Sequence, residues 1–155
     1  MDNVKQSSDR LTASRERRAI WRTEWLRARD EMAQERAASL ANTYSDLNER
    51  GWGGTLPLYQ IVIAERDGCA GRVNHRREII WVSPRADVFG VLVHEMIHVA
   101  VHWLSDAEEY ARDVALYGDH GVLFEIEALR ISELLEIPLT LDMSLESWPI
   151  GAPVC

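Results

Sequence analysis

His94, Glu95 and His98 occur in the stretch VLVHEMIHVAVH, residues 91–102, in the arrangement H-E-x-x-H. Two histidines four residues apart on a helix lie one turn above each other on the same face, so both imidazoles can converge on one ion. Imidazole nitrogen at about 2.0–2.1 Å suits zinc. A glutamate beside the first histidine is placed to hold a water on that ion rather than the ion itself. This is the arrangement of hydrolytic zinc sites, where the ion lowers the water's pKa toward about 7 and the glutamate takes its proton during attack on a carbonyl. From Val88 to Val101 the other side chains are all apolar. A helix apolar on most sides is buried, and buried polar groups are costly unless paired or metal-bound. That cost is the reason to read the three residues as a site. The competing reading is two core histidines and a glutamate bonded to their neighbours.

A catalytic zinc site needs a third protein ligand and one open position. The extended pattern H-E-x-x-H-x-x-G-x-x-H does not fit, because Val101 and Leu104 occupy its last two fixed positions. His102 continues the four-residue spacing, but each such step drifts about 40° around the helix, so three in a row converge poorly. It reads as a pocket wall, a support for the ligands or an exposed helix end. Glu109, with Asp113 four residues later, has the ligand-and-partner spacing of glutamate-type zinc peptidases, yet it lies on an acidic, surface-like segment. His120, in DHGVLF, stands where an amphipathic helix begins, and is preferred; Glu108, Glu125 and Glu127 rank lower. Tyr117 and Asp119 join His102 as candidate pocket or supporting residues. For an oxyanion partner, Tyr110, Tyr117 and the arginines are all open.

These residues need elements to hold them. Ser14 to Glu49 is rich in Ala, Arg, Glu and Leu without Gly or Pro, and reads as helix after a disordered start over residues 1–13. Ile20, Trp21, Trp25, Ala28, Met32, Leu40, Tyr44 and Leu47 form a stripe that reads as core, with a bend near Gln34 to Ser39. Glycines and Pro57 end the helix. Leu58–Ala64, Cys69–Val73 and Glu78–Val82 are strand-like, separated by turns at Asp67-Gly68 and Asn74–Arg77. Ser83-Pro84 is a helix-start signal for a metal helix over about 85–104. A partly helical acidic stretch ends at Gly118. A closing helix spans about 121–136, and PLTLDM after it suggests a short strand.

With 155 residues and 46% hydrophobic content, one domain (14–155) is expected. No long uncharged apolar window suggests a membrane span, and the polar N-terminus argues against a secretory signal. Two cysteines argue against a disulfide framework and make a reducing cytoplasm the default. The net charge is −8, and beyond Leu104 two basic residues face eleven acidic ones. Such a surface repels a phosphate backbone. The basic turn NHRRE, 74–78, reads as a solvated hairpin turn.

His94-Glu95-x-x-His98 followed by His120-Gly121-x-x-Phe124 resembles the SprT-like zinc metallopeptidases, which pair H-E-x-x-H with a later H-G-x-x-F. LNERGWGGTLP (47–57), CAGRV (69–73) and EIIWVSP (78–84) are similar to the segments that precede the metal helix there, so the resemblance covers residues 40–137 in order. It implies His94, His98 and His120 as zinc ligands and Glu95 as general base. The chain departs from many members in lacking any CxxC pair and in carrying Asp119 where they have glycine. The resemblance also implies an association with DNA, which the acidic charge does not support.

The expectation is an α+β, zincin-like domain with an N-terminal helical region, a three-stranded sheet, a metal helix and a closing helix. It would be a cytoplasmic zinc metallopeptidase acting on protein or peptide, with no membrane role. The alternatives are a catalytically silent metal-containing binding module and a DNA-associated factor recruited by a partner.

Overall fold

The computed structural model describes the backbone of residues 2–64 and 69–137, and side chains from residue 18 onward within them. Its elements are α1 (Asp2–Trp52), β1 (Gln60–Ile63), β2 (Gly71–Asn74), β3 (Ile79–Val82), α2 (Val88–Leu104), α3 (Ala107–Tyr117) and α4 (Val122–Leu135). The class is α+β, four helices and one small sheet. The chain divides into two compact units, 1–36 and 37–155. That division falls inside the Gln34–Ser39 segment, which α1 crosses as continuous helix. Helical backbone begins at Asp2, within the stretch expected to be disordered. The strand suggested for PLTLDM lies outside the described residues.

In the first unit Ile20, Trp21, Trp25 and Met32 are 51–66% exposed. The stripe expected to be core is therefore core only beyond Arg36, at Leu40, Tyr44 and Leu47. A helix needs a second layer to bury a stripe, and within residues 18–36 the only element is the helix itself.

In the second unit the end of α1 is clamped to the chain that follows. Asn48 donates from Nδ2 to the Leu56 carbonyl at 3.0 Å and accepts the Leu56 N–H at 3.1 Å, while the Tyr44 hydroxyl donates to the Pro57 carbonyl. Gly53 and Gly54, with φ of 61° and 72°, make the reversal between these partners. Trp52 donates to Glu127, and Arg130 donates to both Glu127 and the Gly51 carbonyl, which ties α4 to the same corner.

The sheet has the order β1-β3-β2, with β1 parallel and β2 antiparallel to the central β3. Strand β2 is thus an edge, and its outer backbone groups face away from the sheet. Ser83 does not cap the metal helix as its sequence suggests. It forms a turn, accepting the Arg85 N–H on its hydroxyl and the Ala86 N–H on its carbonyl, and α2 starts five residues later after Asp87. Helix α2 lies between the sheet, on β2 and β3, and α4. Residues Gly90 to Val101 are all buried, so burial, rather than the modest helix propensity of its valines, holds this segment helical. No described helix is long and apolar enough to cross a membrane. Cys69 is disulfide-bonded. One bond is no framework.

Candidate metal centre

His94 and His98 occupy the same face of α2, as their spacing requires, and His120 meets them from the loop before α4. The three Nε2 atoms form a triangle with sides of 3.0, 3.1 and 3.2 Å. A ring nitrogen is either a donor or an acceptor. Three of them therefore cannot close a triangle of hydrogen bonds, whereas three lone pairs aimed at one centre make a metal-ligand set. They are the one such cluster among the described residues, close enough to hold a metal ion. Phe124 packs against all three rings at 4.5–5.1 Å between centroids and fixes their tilt.

His94 is 2% and His98 9% exposed; His120 is exposed as a residue but turns its Nε2 inward. Burial, with the neighbouring rings second, pushes the pKa of His94 down to about 3 and of His98 to about 2, and burial lowers that of His120. All three are thus neutral at pH 7, the form that binds metal.

Asp113 places His120. Its carboxylate accepts the Val122 and Leu123 N–H groups, both at 3.1 Å, and caps α4 from α3. Gly121 makes this approach feasible, since a Cβ there would collide with the Asp113 carboxylate. Asp113 itself is held by α3, which Asp106 caps through the Glu108 and Glu109 N–H groups. The acidic stretch thus supplies the cap of the third histidine's helix. Glu108 and Glu109 are exposed on α3, Glu125 is exposed on α4 and Glu127 is engaged with Trp52 and Arg130, so none joins the triangle.

Glu95 is 2% exposed and reaches toward β2. Burial raises its pKa to about 8, against the pull of Arg72 and a hydrogen bond from the Val73 backbone. Its Oε2 is buried with no hydrogen-bond partner among the described residues. Gly71 makes room, because a Cβ there would lie 2.5 Å from Glu95 Oε1 and collide with Val91. Glu95 and His98 line a cleft of about 180 Å³ with Arg72, Val73, His75, Tyr110 and Asp119.

All five histidines of the chain gather in this region. His102 is no ligand; its ring stacks on His75, with centroids 4.0 Å apart and planes 16° from parallel. Tyr117 is exposed at the end of α3, while Tyr110 and Asp119 face the cleft. His75 is the residue sequence reasoning passed over, read as part of a solvated turn. Its signal was only that it is the remaining one of the chain's five histidines. Comparison with protein-family models, curated proteins and solved structures gives no match.

Proposed function

We propose that the chain is a zinc-dependent peptidase with a zincin-like site, of the SprT-like kind its sequence resembles. What carries the reading is one juxtaposition: a triangle of neutral histidine nitrogens beside a buried carboxylate with an unpartnered oxygen. The fit to zinc is geometric. At the ~2.0–2.1 Å of a zinc–imidazole bond, nitrogens 3.0–3.2 Å apart subtend roughly 100° at a common centre, near tetrahedral with the fourth position left over. Zinc bound there would lower the pKa of water toward ~7 and polarise a carbonyl.

The chain's own groups do the rest. Glu95, whose burial-raised pKa a neighbouring cation would bring back down, is a general base with few competing hydrogen bonds and takes a proton from the attacking water as its oxygen bonds to the peptide carbon. The carbonyl π pair moves onto the carbonyl oxygen. When that pair returns, the C–N bond breaks and the amine leaves with the proton Glu95 holds. A structural metal site closes its fourth position with a protein ligand; here the next residues are cleft-lining ones, which favours turnover over a silent binding module.

Metal analysis and hydrolysis of an unfolded protein by wild type and Glu95→Gln test the reading. Bound zinc in both, with hydrolysis at least ~100-fold slower in the variant, is expected. Zinc with no hydrolysis of any unfolded protein by wild type would favour the silent module, and no zinc would sink both.

A further inference from the structure

We propose, resting on the peptidase reading, that His75 is a catalytic residue: its Nε2–H donates to the carbonyl oxygen of the scissile peptide as negative charge builds there. His75 lies in the β2–β3 turn and lines the same cleft as Glu95 and His98. Its tautomer follows from a chain of donors. The Trp103 indole N–H donates to the Tyr59 hydroxyl oxygen at 3.0 Å, and that hydroxyl lies 3.0 Å from His75 Nδ1. An indole N–H cannot accept, so Tyr59 accepts from Trp103 and keeps its own proton for another partner. Tyr59 is buried, and His75 Nδ1 is its remaining hydrogen-bond partner. The tyrosine therefore donates to Nδ1, and the neutral ring carries its proton on Nε2.

Three further features suit the role. Burial first, and the neighbouring His102 second, lower the pKa of His75 to about 4, so the ring stays neutral at working pH. The face-on stack with His102 and the edge contact with Tyr59 hold its plane. No hydrogen bond to another described residue occupies Nε2. Glu95 supplies an acceptor to the cleft, and catalysis of this class also needs a donor fixed where charge develops. Tyr59 and Trp103, one step removed, are positioning residues.

His75→Phe removes the donor and should keep one zinc per chain while lowering kcat ~100- to 1,000-fold, with KM within about threefold. His75→Gln restores an N–H near the same place and should recover at least about tenfold of that loss. Nitrogen NMR of the labelled protein should show His75 as the Nε2–H tautomer, and Tyr59→Phe should erode that preference. An active wild type whose His75→Phe variant keeps kcat within threefold overturns this role alone, as does an Nδ1–H tautomer. Should His75→Phe fail to fold, the tautomer measurement decides. Zinc-bound wild type without hydrolysis overturns the peptidase reading as well.

Discussion

His94 and His120 are 26 residues apart in the chain, and their Nε2 atoms stand 3.0 Å apart. No local regularity brings them together: one lies within α2 and the other precedes α4. His120→Ala leaves two ligands on one helix. Because even outer partners of metal ligands are worth ~10- to 100-fold in affinity, its loss should weaken zinc binding by more than ~100-fold. Competition with a chelator of known affinity measures this, and an unchanged affinity would exclude His120 from the ligand set.

Asp113 touches no metal ligand by hydrogen bond, yet it holds the start of α4 through the Val122 and Leu123 amides. Asp113→Ala leaves both amides without their acceptor. Loss of such a cap costs about 1–2 kcal/mol, which urea denaturation would read. The freed His120 should also weaken zinc binding by ~10-fold. A variant that is destabilised but binds zinc unchanged would make Asp113 purely a helix cap.

Much of this site is legible in the sequence because its rules are local. A four-residue spacing in an apolar run places His94 and His98 on one helical face, and the H-G-x-x-F step marks where α4 begins. What stays hidden depends on partners far along the chain. His75 is positioned by Tyr59, 16 residues away, and through it by Trp103, itself 44 residues from Tyr59. The stripe of Ile20, Trp21, Trp25 and Met32 has the periodicity of a core face, but periodicity states only that a face exists, not that a second layer covers it. Ser83-Pro84 shows the same limit at a helix end. The hydroxyl has a nearer amide to accept, and it makes a turn instead.

Gly71 lets β2 approach α2. A methyl group there meets Val91 and the Glu95 carboxylate, so one of them or the strand must shift. Gly71→Ala should cost ~1–3 kcal/mol, as overpacking does. It should also displace Glu95 and lower hydrolysis by at least ~10-fold, while the histidines still bind zinc. Thermal denaturation, metal content and kcat together separate these effects, and an active variant of normal stability would show that β2 can shift away freely.

Glu95 gives the metal-free protein a distinctive response to pH. Its carboxyl titrates ordinarily near 4.5, and burial raises this to about 8 in the folded chain. Between those values the folded state holds a proton that the unfolded state has lost. Stability therefore falls as pH rises, with the contribution complete below 4.5 and gone once pH passes 8. The histidines act oppositely. Their folded pKa values are depressed from 6.5, so they cost stability only as pH drops below that point. At pH 7 each is still about a quarter charged in the unfolded chain, so together they add a gain of under about 1 kcal/mol by pH 9, which wild type and Glu95→Gln share. The difference between the two proteins over pH 7 to 9 thus isolates Glu95. Relative to that variant, chelator-treated wild type should lose roughly 1 kcal/mol across that range, at ~1.4 kcal/mol per pKa unit. Glu95→Gln, which cannot ionise, should show only the small histidine rise and exceed wild type in stability at pH 9. Urea denaturation at several pH values measures both curves. Parallel curves would mean that Glu95 is already ionised in the folded protein, and that a positive group other than zinc offsets its burial.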